Sequence, residues 1–257
     1  MPADARVYDS ERLARCYAQT RPPVHPAICA RLFDAWPAAL PLGAALDVGC
    51  GAGVSTAALV GRVAQVTGVD PFAPMLAQAQ RRLPGARFVQ ATAEALPLPA
   101  ASVDLVTAAG SLNYADTGRA LAEIARVLRP GGRLAVYDFA TGRVQPRGGP
   151  SDAAFQAFEH RFPWPGGYDM QIDALPYAAH GLALLSHERF GVEVPMSAEA
   201  YLDYVMGETN VEAAVAAGLP EAEARQVCAT IFGPLFVASP RGVGFDAVLA
   251  VAARMQP

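Results

Sequence analysis

The 257-residue chain contains no lysine: all 20 of its basic residues are arginine. This absence excludes a Schiff-base lysine, a lysine general base and a lysine phosphate anchor. Arginine stays protonated and offers a planar fork in place of a movable amine. A GC-rich coding sequence would produce the same bias, and the chemical consequence holds either way. Cysteine is scarce too. Cys16, Cys29, Cys50 and Cys228 form no C-x-x-C pair and no metal-ligand spacing, so no metal site is expected. No basic stripe is present and the net charge is −4, which argues against a nucleic-acid partner. There is no uninterrupted apolar run of about 18 residues, so no membrane-spanning helix is expected. The opening stretch carries Asp4, Arg6, Asp9 and Glu11 and is too charged for a secretory signal. A cytoplasmic protein, monomeric or homodimeric, with no membrane partner is the resulting expectation.

What is present points to a ligand-binding α/β chain. Hydrophobic residues make up 53% of it, enough for a sizeable core, and its length allows one large domain with a cap. Residues 46–56 read Leu-Asp-Val-Gly-Cys-Gly-Ala-Gly-Val-Ser-Thr. An apolar run ends in Asp47, and three glycines then alternate before a helix-compatible segment. Alternating glycines let a strand end turn sharply and a ligand approach the backbone closely. The same turn would open a helix N-terminus toward an anionic group.

Strand and helix signals alternate around this loop. Strands are expected at 44–49, 63–70, 86–91, 103–109 and 133–139, and helices at 54–62, 73–83 and 117–128. In the last of these, Leu121, Ile124, Val127 and Leu128 share a face. The alternation predicts an α/β fold with a doubly wound, mostly parallel sheet of seven strands, its ligand site at the carboxyl ends of the strands. Residues 1–43 read as a helical lid broken at Arg21-Pro22-Pro23 and again at Pro26. Residues 44–141 form the core and 142–240 a helical, aromatic cap. That cap opens with an exposed connection at 142–150 and adds a strand at 183–194 and helices at 197–206 and 211–232. Residues 241–257 hold a final strand, antiparallel at the sheet edge.

The glycine loop alone is weak, since a dinucleotide fold prefers G-x-G-x-x-G. Three further features sharpen it. Asp70 ends the second strand about 20 residues later, where a carboxylate can accept both ribose hydroxyls. Phe72 follows and can pack on a purine. Glu94 follows the third strand, and the runs beginning Ser102-Val103-Asp104 and Glu123-Ile124-Ala125 come behind in order. As a set, residues 44–140 resemble the class I S-adenosylmethionine-dependent methyltransferases, nearest the group that includes the ubiquinone and menaquinone biosynthesis enzymes. The resemblance implies a Rossmann-like methyltransferase fold. It implies S-adenosyl-L-methionine as cofactor and S-adenosyl-L-homocysteine as product. It places Asp47, Gly49, Cys50, Gly51 and Gly53 around the amino-acid end and Asp70 on the ribose. Pro71, Phe72 and Met75 flank the adenine, with Ala93 and Glu94 at its edge and Ala109 on the sulfonium side. Tyr8, Tyr17 and Arg21 resemble the family's lid, the arginine reaching the cofactor carboxylate.

Missing motifs narrow the acceptor to a small organic molecule, aromatic or apolar. The place of Asn-Pro-Pro-Tyr after the fourth strand reads Ser111-Leu112-Asn113-Tyr114, unlike the amino-methyltransferases of adenine and glutamine. Lysine-dependent ribose methylation is excluded, Cys50 is the sole cysteine in the core, and acids near Asp138 and Asn113 are too sparse for a catechol-type metal site. His160 is the first candidate base, ahead of His180 and His187. Asn113 and Tyr17 are the other candidate catalytic groups. Trp164 and Tyr168 are placed to stack on an acceptor, and Arg143 and Arg147 to meet a carboxylate. Two other readings stay open: a nicotinamide-dependent oxidoreductase, and a non-catalytic protein that keeps the cofactor site.

Overall fold

A computed structural model describes residues 5–36, 41–166 and 171–256, so Tyr168 lies outside the described residues. The N-terminal segment forms α1 (Glu11–Thr20), where the Leu13 N–H donates to the Ser10 hydroxyl that caps it. It continues into α2 (Val24–Asp34). Arg21-Pro22-Pro23 separates the two as expected. Pro26 breaks nothing, because it sits in the first turn of α2, where a missing N–H is tolerated.

The core then alternates: β1 (Leu42–Val48), α3 (Val54–Ala57), β2 (Val63–Asp70), α4 (Ala73–Arg82), β3 (Arg87–Gln90), β4 (Val103–Ala109), α5 (Thr117–Val127) and β5 (Leu128–Phe139). Helix α3 is a single turn rather than the nine residues expected. Gly61, at φ +81°, turns the chain and Val60 already bridges to Val63. Strand β5 begins five residues early. Pro130-Gly131-Gly132 bulges within it, and the β4 register shifts between Val103 and Leu105.

The second half adds β6 (Arg143–Val144), α6 (Gly149–Arg161), β7 (Leu182–Met196), α7 (Ala198–Met206), α8 (Thr209–Ala216), α9 (Glu221–Phe232) and β8 (Arg241–Arg254). The single helix expected over 211–232 is two, parted by Gly218 at φ +106° and Pro220. The sheet runs β3-β2-β1-β4-β5-β8, with β1 to β5 parallel and β8 antiparallel. Strand β7 pairs along the whole outer side of β8, so the last strand lies one place in from the edge. The eighth strand is the two-residue β6, which takes over from β5 beside Val243 and Gly244. It makes 142–150 less of an exposed connection than expected: Gly142 and Val144 are buried.

The β period of two splits the core between the faces. Leu46, Val48, Val106 and Leu134 pack on Leu121, Ile124 and Val127 of α5. Ala45, Leu105, Ala135 and Tyr137 meet Ile28 and Leu32 of α2 and the aromatic cap, where Phe158 and Phe162 are wholly buried.

Asp47, fully buried near the end of β1, joins three elements. Its Oδ2 accepts from the hydroxyls of Ser55 and Thr56, both at 2.7 Å, and its Oδ1 from Thr107 at 2.8 Å. Burial raises its pKa while these three hydroxyls work in the opposite direction. Strand β1, the first turn of α3 and β4 are thus pinned beneath the glycine loop. Thr107→Val should cost about 1–3 kcal/mol, because it removes one donor from a buried carboxylate. The check is the urea midpoint, expected to fall at unchanged slope; an unmoved midpoint would deny the pin any weight.

Candidate functional site

The carboxyl ends of β1, β2, β4 and β5 open into one cavity of about 860 Å³. Small-molecule sites span roughly 300–1,000 Å³, so this one has room for a nucleoside-sized ligand and a second small molecule. The glycine loop forms its floor at one end. Gly49 has φ +66°, and a Cβ there would fall 2.2 Å from Ser111 Cβ. Ser111 in turn donates to the Val48 carbonyl at 2.7 Å, so the loop is packed against the turn after β4. Gly51 has φ +50°, and the nearest atom to its Cβ would be Met75 Sδ at 4.0 Å, so that bond points into the cavity.

Two expectations for the loop are corrected here. Gly53 does not line the cavity; it lets α3 approach α4, its Cβ position lying 3.1 Å from Ala79. Helix α3 is one turn, and the N–H groups of Cys50, Gly51 and Gly53 bond to Val69 O, Asp70 Oδ2 and Cys50 O. Asp47 also stays out of the cavity, for it is consumed in the pin described above.

Asp70 ends β2 and lines the cavity. Its Oδ2 accepts from the Gly51 N–H at 3.0 Å and its Oδ1 from the Phe72 N–H at 2.9 Å. A carboxylate oxygen has two lone pairs, so each keeps acceptor capacity. Burial pushes the group up to about 6, against the pull of the two N–H donors. Cys50, Pro71, Phe72 and Met75 line the same end, and Ala93, Glu94 and Ala109 its far wall. Glu94 also accepts from the Asp116 N–H at 2.7 Å, which ties it to the start of α5.

The lid lies directly on this end. Leu13 and Ala14 of α1 bury themselves against Ala52 and Met75. Tyr17 and Arg21 face the cavity, the guanidinium 3.8 Å over the Tyr17 ring and its NH1 2.6 Å from Glu208 Oε1. Tyr8 shares a hydrogen bond with the Tyr114 hydroxyl at 3.1 Å.

At the other end the sequence-based candidates divide. Tyr114, Arg143 and Trp164 line the cavity. Asn113 is buried beside it and contributes nothing to its wall. His160 is exposed on the outer side of α6; the residue before it, Glu159, faces in and accepts from Trp164 Nε1 at 3.0 Å. His160 is therefore not positioned as a base, because its helix turns it to solvent. His180 and His187 lie away from the cavity, His187 beside Asp173 at 3.9 Å, and Arg147 pairs with Asp246 at 2.6 Å.

The sequence reading missed His25, Tyr137 and Glu208. His25 stands in the first turn of α2, its Nδ1 3.0 Å from Tyr137 Oη and its ring edge-on to Phe139. Burial and the Arg21 charge lower it to about 3, so it is a neutral imidazole. The available signal was its place two residues after Arg21-Pro22-Pro23. Burial pushes Tyr114 up to about 12 and Tyr137 well up, so these phenols keep their protons. Among the described residues no group of three or more His, Cys, Asp or Glu is arranged to hold a metal, and no helix is long and apolar enough to cross a membrane.

Residues 46–136 match the family described as "Methyltransferase domain". An uncharacterized methyltransferase of Mycobacterium tuberculosis is 46% identical over 89 residues, 35% of this chain and 37% of that protein. Demethylmenaquinone methyltransferase of Thermus thermophilus is 45% identical over 101 residues, 37% of this chain and 46% of that one. The chain thus spans less than half the length of these two relatives. A solved structure from Anaeromyxobacter dehalogenans, assigned as a type II methyltransferase, superposes with a TM-score of 0.68 at 27% identity over 92% of this chain and 99% of its own. Residues 46–136 thus match a methyltransferase domain, and the strand order and the structural likeness place it on a Rossmann-like methyltransferase fold.

Proposed function

We propose that the chain transfers a methyl group from S-adenosylmethionine to a small organic acceptor. The observation that carries this is Asp70: a carboxylate fixed by two backbone N–H groups at the end of β2, with free lone pairs, facing a glycine whose Cβ would enter the cavity. When bound, S-adenosylmethionine supplies a methyl group on a sulfonium that is already electrophilic. The protein's share is then to bind, align and dry the site. Asp70 accepts the ribose hydroxyls. Phe72 and Met75 flank the base, Ala93 and Glu94 meet its edge, and the loop around Gly49, Cys50 and Gly51 takes the amino-acid end. Tyr17 and Arg21 close over it from the lid.

The acceptor sits at the end lined by Tyr114, Phe139, Phe155, Trp164 and Tyr204. Aromatic walls suit an aromatic or apolar molecule and exclude water from the reacting atoms. The glycine spacing and the relatives both favour a methyl donor over a nicotinamide cofactor.

Gly51→Val should reduce affinity for S-adenosylhomocysteine at least about tenfold, since a branched side chain would fill the approach and strain a positive φ. Calorimetric titration of the folded variant decides it; wild-type affinity would refute the placement. Asp70→Ala should cost about 1–3 kcal/mol of the same affinity. The pH dependence has a definite sign. Asp70 is ionised above about 6 and gains a proton below it, which removes one acceptor. Affinity should therefore be flat above that value and fall as pH drops below it, and Asp70→Ala should flatten the fall.

A further inference from the structure

Charged side chains gather at the acceptor end of the cavity, and most are spent within the protein. Glu208 accepts from Arg21 at 2.6 Å and Glu159 from Trp164 Nε1 at 3.0 Å. Arg143 differs. Among the described residues its guanidinium makes no hydrogen bond; Asp152 balances its charge from 3.7 Å, too far to accept from it. Its position is nonetheless fixed from three sides. Strand β6 sets it opposite Gly244 of β8. The residue before it, Gly142, donates its N–H to Tyr204 Oη at 3.1 Å and accepts from the Tyr201 hydroxyl at 2.8 Å, and both tyrosines are buried. The guanidinium carbon lies 3.9 Å from the centre of the Phe155 ring. Stacking covers one face of the guanidinium and leaves open its edge, which carries the N–H groups.

An open guanidinium edge matches a carboxylate, which takes two parallel N–H···O bonds from it. Charge favours a carboxylate over a phosphate. One cation stands here, Asp152 already beside it and Glu159 in the same cavity wall, so a dianion would add like-charge repulsion. Distance decides what the carboxylate does. Tyr137, the register partner of Ala109, lies opposite Leu249 of β8, whereas Arg143 lies opposite Gly244. The stretch of β8 from Leu249 to Gly244 amounts to about 17 Å at the rise of a strand, more than an arginine side chain spans. A group held by Arg143 is therefore not the atom beside Ala109, where the methyl group arrives. Phe139 stands between the two along the chain and gives the intervening part of a ligand an apolar wall.

We propose that the methyl acceptor is an apolar or aromatic carboxylic acid whose carboxylate pairs with Arg143, the atom to be methylated lying at its other end. The inference rests on the methyl-transfer reading above and narrows its acceptor class. The carboxylate is an anchor and takes no part in the chemistry. Holding one end of a molecule on a fixed fork restricts the other end to few orientations, which turns binding into alignment with the S–CH₃ bond. A neutral analogue of the same shape meets the guanidinium edge with a weaker partner, and a cationic one meets it with repulsion. Arg143 is thus the residue that sets which acceptors are taken.

The test is calorimetric titration of the S-adenosylhomocysteine-loaded protein at neutral pH with 2-naphthoate, 2-naphthamide and 2-naphthyl phosphate. The carboxylate should bind about tenfold or more tighter than the amide, and tighter than the phosphate. Arg143→Gln should bring the carboxylate down to the level of the amide. Its affinity for S-adenosylhomocysteine should stay within about twofold of wild type, the readout that a merely structural role would move. If Arg143→Gln does not fold, Asp152→Asn decides: removing the competing carboxylate should tighten the naphthoate and leave the amide unchanged. In a second readout, labelled S-adenosylmethionine incubated with 2-naphthoate should yield no methyl ester, measured as methanol released by base. No binding of the naphthoate, equal binding of the amide, tighter binding of the phosphate, a preference that survives Arg143→Gln or is unmoved by Asp152→Asn, parallel loss of S-adenosylhomocysteine affinity, or a labelled ester overturns the proposal. In each of these outcomes the methyl-transfer reading stands as long as the wild-type protein binds S-adenosylhomocysteine. If it does not, that reading itself falls.

Discussion

Two buried carboxylates bracket the glycine loop and set its shape. Asp47 holds the loop from below through three hydroxyls, and Asp70 holds it from the side through the Gly51 and Phe72 N–H groups. Burying a carboxylate is costly unless its lone pairs are met. Asp47 meets three hydroxyl donors within the protein, and burial still raises its pKa. Asp70 meets two backbone N–H donors, and burial pushes it up to about 6 against them. Their positions differ too: Asp70 lines the cavity and Asp47 does not.

The lid depends on the cap as much as on the loop. Arg12 reaches Glu212 at 2.8 Å and the Met206 carbonyl, while Arg21 reaches Glu208. Both pairs are largely buried, where breaking one partner costs far more than it does on the surface. Leu13 and Ala14 meanwhile pack on Ala52 and Met75. Helix α1 is therefore tied to α7 and α8 by charge and to the cofactor end by apolar contact. A ligand entering the cavity has to work around both, and Arg21 is the residue that faces both ends.

The parallel core was legible because each of its elements carries its own local signal. Strand periodicity, the acid ending β2 and the apolar face of α5 are properties of a few consecutive residues, and all three are in place. The errors have two sources, local turns inside helical runs and contacts between distant residues. The length of α3 is limited by a turn that nucleotide-fold spacing does not encode, and the split between α8 and α9 follows Gly218 and Pro220 within an otherwise helical run. The aromatic segment around Phe158 suggested a wall for a substrate, and most of it is core. His160 and His25 show the limit most clearly. Both are histidines near prolines and aromatic residues. Helix phase turns the first to solvent, while Tyr137, 112 residues further along the chain, fixes the second. No local pattern contains that pairing.

The electrostatics of the cavity favour a ligand of a particular charge. Arg21 is paired with Glu208, Arg143 lies 3.7 Å from Asp152 and 3.9 Å over the Phe155 ring, and the phenols are held neutral by burial. Asp70 is held by backbone N–H groups rather than by an arginine, and Glu94 by another. The cavity's cations are thus compensated while its donor-end carboxylates are met by dipoles. A molecule bringing hydroxyl donors to Asp70 and a positive charge near the β4 end would relieve the penalty recorded in the raised Asp70 pKa. A dinucleotide would bring phosphates instead, into a loop with no lysine and a helix of one turn. The same arrangement that leaves Asp70 partly unsatisfied therefore selects a cationic nucleoside over an anionic one, before any contact with the acceptor is made.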